Sequence, residues 1–84
     1  MRPPIRLPEP SPEALAELDR LYRTTGDVRL RMRAQIVLLA GEQHMLVPEI
    51  ARIVRCDEQT VRTWLKRYIA EGVAGLEPVM HSAP

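Results

Sequence analysis

Ten of the twelve Lys and Arg side chains of this sequence fall between Arg20 and Arg67, where the only acidic residues are Asp27, Glu42, Glu49, Asp57 and Glu58. The segments on either side are each acidic by two. Cations concentrated at the centre of a chain whose formal charge is only +1 are suited to one kind of chemistry, the attraction of phosphates and the release of their counterions. Arg29, Arg31 and Arg33 strengthen the point, because they open a helix expected over 27–40. There the macrodipole disfavours each cation by about 0.3 to 1 kcal/mol. Phosphates nearby would reverse that sign, which makes these arginines candidate backbone contacts, with solvated surface charge as the plainer alternative. Lys66 and Arg67 lie toward a helix C-terminus, where cations are favoured anyway, and fit either reading.

Other chemistry is scarce. Cys56 is the only cysteine and His44 and His81 stand far from it, so no metal-ligand spacing exists and no internal disulfide can form. Cys56 reads as a small half-buried turn residue and His44 as solvated. No nucleophile–base pair or carboxylate cluster stands out, and no cofactor motif is present. At 84 residues with 45% hydrophobic content, the chain has the composition of one small folded domain, too small for a deep cleft of its own. We therefore expect no enzymatic activity, neither hydrolase, nuclease nor strand transfer. No apolar run approaches a membrane span and the Pro-rich start lacks the apolar core of a signal peptide, so a cytoplasmic location without membrane association is expected.

The elements that must position the cations can be read from caps and periodicity. Residues 1–11 carry most of a proline-rich opening and predict an extended arm. Ser11 caps a first helix over 12–24, with Pro12 at its first position, Leu15, Leu18, Leu21 and Tyr22 at helical spacing, and Gly26 ending it. Asp27 caps a second over 27–40, with Gly41 as its stop. Its apolar residues form two stripes, Leu30, Ala34, Val37 and Leu38 on one side and Met32, Ile36 and Leu39 on the other. Such a helix is sandwiched between neighbours. A third helix spans 47–55 with Ile50, Ala51 and Val54 inward, and Asp57 caps a fourth over 58–71 that buries Val61, Leu65 and Tyr68. Trp64 falls among these and reads as a core anchor. Gly72 closes the helix, and 77–84 reads as a flexible tail. No strand alternation or repeat appears, and the class is all-α.

Helices three and four are joined by a short turn that we read as Cys56, Asp57 and Glu58, with the small Ala51 where the two cross. This is the unit that places one helix in a major groove. The stretch PEIARIVRCDEQTVRTWLKRY resembles a homeodomain-like helix-turn-helix within about 47–71. With RMRAQIVLLAGEQ before it and EGVAGLEP after it, the run from Arg31 to Pro78 resembles the N-terminal DNA-binding domain of bacterial insertion-sequence transposases of the mariner-like superfamily. The resemblance implies a three-helix core preceded by one extra N-terminal helix, together making a domain over 12–76.

It further implies that the fourth helix is the recognition helix, with Glu58, Gln59, Arg62, Thr63 and Lys66 facing base edges. Arg29, Arg31, Arg33, Arg55 and Arg67 are the candidate phosphate contacts. Helical geometry exposes the same face of the fourth helix, opposite Val61, Leu65 and Tyr68. The sequence departs from the family at Arg55, where a glycine usually makes a left-handed turn, at Leu46, where a serine usually caps, and after Leu76, where EPVMHSAP replaces a basic linker.

The partner implied is double-stranded DNA, bound as a transposase-derived module or a small regulator, with a homodimer compatible with either. A truncated transposase fragment would need a separate catalytic domain carrying three carboxylates and two metal ions, for which this chain has no room. A protein-interaction module using the same helical surface is the alternative. It would favour exposed Leu, Met or aromatic residues on the fourth helix, where Gln, Arg, Thr and Lys stand instead.

Overall fold

In the computed structural model, which describes residues 7–77, helix α1 (Pro12–Thr24) is followed by α2 (Val28–Gly41), α3 (Val47–Val54) and α4 (Glu58–Glu71). A 3-10 turn, Gly72–Leu76, is the last element among the described residues. The described residues contain no strand, as the all-α expectation requires. The starts of α1 and α2 have a local cause. The Ser11 hydroxyl accepts from the Ala14 amide at 3.0 Å, and the Asp27 carboxylate accepts from the amides of Arg29 and Leu30 at 2.9 and 3.3 Å.

The two apolar stripes of α2 do what their spacing predicts: this helix packs against α1, α3, α4 and the 3-10 turn. Ala34, Ile36 and Val37 on it are fully or almost fully buried, beside Leu18 of α1, Val47, Ile50 and Ala51 of α3, and Val61 and Leu65 of α4. Leu76 of the 3-10 turn completes this core with no exposed surface. Full burial of a leucine side chain contributes about 1.5 to 3 kcal/mol.

Several details differ from the expectations. Gly41 is the last residue of α2 rather than a stop beyond it. A Cβ there would meet Pro10 Cγ at 3.2 Å and Leu7 Cδ1 at 3.4 Å, so its smallness admits residues 7–10, which fold onto the end of α2. The left-handed residue after α2 is instead His44, with φ 57°. Gly26 has open space around it and α1 is closed by Thr25, whose amide donates to Leu21 O. The 3-10 turn itself went unforeseen. Residues 1–6 of the proposed arm, residues 78–84 of the proposed tail and His81 lie outside the described residues.

Candidate nucleic-acid interface

Helices α3 and α4 meet across three residues, Arg55, Cys56 and Asp57. Glu58 begins α4, as the expected span 58–71 requires, and the turn read as Cys56, Asp57 and Glu58 instead starts and ends one residue earlier. Arg55 takes the left-handed conformation, φ 61° and ψ 47°, and its amide donates to Ala51 O. The Cys56 amide reaches the same carbonyl at 3.1 Å. The glycine position of the turn is thus geometrically real and is filled by an exposed arginine. Burial pushes the Cys56 thiol above its ordinary pKa, with the Asp57 charge adding to it.

Asp57 occupies the cap position of α4, but its carboxylate accepts the Thr60 hydroxyl at 2.6 Å and no backbone amide within hydrogen-bond geometry. That hydroxyl is the main reason its pKa lies below the ordinary carboxylate value, with the nearby amides at the helix start helping. At α3 the Leu46 side chain cannot accept a hydrogen bond. Only the reciprocal half of a capping box exists, with Glu49 Oε1 accepting from the Leu46 amide at 3.0 Å.

With Val61 and Leu65 locked into the core, α4 turns Gln59, Thr63 and Lys66 to solvent along one line. Thr63 donates its hydroxyl to Gln59 O at 2.9 Å. Glu58 is exposed as well. Arg62, expected to be exposed, is half-buried, and its Nη2 lies 3.3 Å from Glu58 Oε1. Helical spacing explains the pairing, since residues four apart share a face.

Of the five candidate phosphate contacts, the fold brings three together. Arg33 stacks its guanidinium 4.0 Å from the Trp64 ring centroid and donates Nη1 to Leu76 O at 3.0 Å. Arg67 sits 5.4 Å from the same ring and donates Nε to Gly75 O at 3.0 Å. Arg29 stands one turn before Arg33. Burial is the largest influence lowering the Arg33 pKa, Asp27 opposes it, and the like charges of Arg29 and Arg67 add to it. Its Nε is buried without a hydrogen-bond partner among the described residues.

Arg33 is therefore turned inward rather than outward. It covers Trp64, which packs at the edge of the core, half-buried, with cations on its face. Arg31 lies apart, donating Nη2 to Thr25 O at 3.0 Å, and Arg55 stands at the turn. Sequence reasoning missed the carbonyl pair of Gly75 and Leu76 as the partners of Arg33 and Arg67. The signal was the apolar Leu76 following two glycines, which reads equally as a loop.

No helix among the described residues is long and apolar enough to cross a membrane. Residues 32–82 match a family described as a helix-turn-helix domain. No curated protein and no solved structure matches the chain.

Proposed function

Because this chain belongs to the helix-turn-helix domain family, a DNA-binding family, we propose that it binds double-stranded DNA with sequence preference by seating α4 in the major groove. The observation that carries this reading is the division of α4 into two sides. One side is fixed in the core by Val61 and Leu65, and the other presents Gln59, Arg62, Thr63 and Lys66, whose donors suit base edges. The planar fork of Arg62 matches the two acceptors of guanine, and the Gln59 amide matches adenine. Glu58 stands at the same face, where its carboxylate is engaged by Arg62.

Phosphates are held by Arg29, Arg31 and Arg55, which are exposed. Arg33 and Arg67, which are half-buried and each spend one nitrogen on a carbonyl, Leu76 O and Gly75 O, contribute mainly through their field. One α4 fills one major-groove half-site, so the reading does not need a homodimer. The order of motifs along the chain favours a module derived from a bacterial transposase acting in the cytoplasm. The protein carries no catalytic role in this reading.

Selection of duplexes from a random pool, followed by titration of the chosen site and a scrambled one, tests the proposal. Replacing Arg62 by alanine should cost about 1 to 3 kcal/mol on the chosen site and far less on the scrambled one. Replacing Arg31 should weaken both alike and reduce the salt dependence by about one counterion. Equal losses on both duplexes for Arg62→Ala would refute base readout by this residue.

A further inference from the structure

The N-terminal end of α4 carries Asp57 and Glu58, two carboxylates on the helix that would approach a polyanion. A helix dipole welcomes acidic residues there, but their bonding partners differ. Asp57 is taken by the Thr60 hydroxyl. Glu58 is taken by Arg62, one turn further on, with the arginine side chain 25% and the glutamate side chain 48% exposed. Among the described residues this is the only hydrogen bond of the Arg62 side chain.

We infer that Glu58 is a positioning and specificity-determining residue, which holds the Arg62 guanidinium by one terminal nitrogen and keeps it from serving as a general phosphate contact. The inference rests on the base-reading role proposed above for Arg62. An arginine side chain left free is long and flexible and loses rotamer freedom on docking. One held by a carboxylate meets the groove already oriented, with its remaining donors available. The same carboxylate neutralises the cation toward phosphates, which every DNA sequence offers equally. Glu58 therefore acts twice on the ratio of specific to random binding. It raises affinity for the right base through Arg62 and lowers affinity for any backbone placed there.

The test is a double-mutant cycle on the wild type, Glu58→Gln, Arg62→Ala and the double variant, each titrated with the selected duplex and a scrambled one. Circular dichroism of each variant establishes that the helices are retained. Glu58→Gln should tighten scrambled-duplex binding by about 2- to 5-fold, the scale of one exposed ion pair. It should lower the selected-to-scrambled ratio by about 3- to 10-fold, a part of what a bidentate arginine contact is worth. In the Arg62→Ala background the same substitution should leave the ratio unchanged. Glu58→Asp, which keeps the negative charge at the helix start but falls short of Arg62, should lower the ratio as Glu58→Gln does while leaving scrambled-duplex binding closer to that of the wild type.

A change of ratio that persists without Arg62 would overturn the inference and make Glu58 a direct base contact. Equal changes on both duplexes would overturn it in favour of a plain charge effect. A wild type that prefers no duplex would refute base readout itself, and is distinguishable from either result because it needs no variant.

Discussion

Arg55 is an exposed residue with a Cβ held at φ 61° and ψ 47°, and Arg55→Gly separates what the turn costs from what the charge does. The left-handed conformation costs an L-residue with a side chain roughly 1 to 2 kcal/mol relative to right-handed backbone. Glycine removes that strain but gains freedom in the unfolded chain, which offsets about 0.4 to 1 kcal/mol. The expected net gain is about 0.5 to 1 kcal/mol. In a domain of this size that raises the melting temperature by roughly 2 to 8 °C.

Thermal unfolding followed by far-UV circular dichroism reads this directly. Arg55→Ala is the matched control, because it removes the same charge and keeps the Cβ, and it should show no such gain. On DNA the two variants should agree: both lose the proposed phosphate contact, weaken selected and scrambled duplexes alike, and lower the salt slope by about 0.9. A glycine variant no more stable than the alanine variant would refute the strain argument. It would mean that the end of α3 does not hold this residue left-handed.

Three further outcomes follow from the same geometry. Leu46→Ser supplies the missing acceptor at the α3 cap while giving up a side chain that is 50% exposed, and should raise the melting temperature by the few degrees that about 0.5 to 1 kcal/mol of capping represents. Gly75→Ala would place a Cβ 2.5 Å from Arg67 O, and urea unfolding should show a loss of about 1 to 3 kcal/mol, as overpacking produces. The pKa of Asp57 is depressed by the Thr60 hydroxyl. Its contribution is therefore present above the unfolded carboxylate pKa of about 3.9 and lost as pH falls through the lower folded value. Asp57→Asn should make the melting temperature less sensitive to acid below about pH 4 than in the wild type.

The helices were legible because their causes are local. Ser11, Asp27 and the i, i+3, i+4 spacing of Val61, Trp64, Leu65 and Tyr68 act within a turn or two, and the structure places α1 and α4 at the expected residues. Two sides of α2 predicted neighbours on both, and those neighbours are there. What stayed hidden depends on residues distant in sequence. Gly41 read as a helix stop because glycine commonly is one, whereas its reason is the approach of Leu7 and Pro10 from more than thirty residues earlier. Arg33 read as an outward cation because only the folded chain brings Trp64 and Leu76 O beside it. The exposure of Arg62 was overestimated for a nearer cause: the Glu58 partner sits at helical spacing, and the pair was visible in the sequence as a carboxylate four residues before an arginine.

The closing of the 3-10 turn onto α2 also ties together stretches of the chain that are far apart in sequence. The bond from Arg33 to Leu76 O joins residues 43 apart, and closing such a loop has an entropic cost of roughly 3 kcal/mol, by the logarithmic dependence on its length. Most other contacts are made between helices adjacent in the chain and form at lower cost. A chain cut after Glu71 would keep the residues of all four helices, yet it would lack Leu76 and the two carbonyls that take the donors of Arg33 and Arg67. Without those residues Trp64 would have no turn beside it, and the guanidiniums of Arg33 and Arg67 would be left to water. The helix proposed to enter the groove thus takes part of its support from a five-residue turn outside all four α-helices.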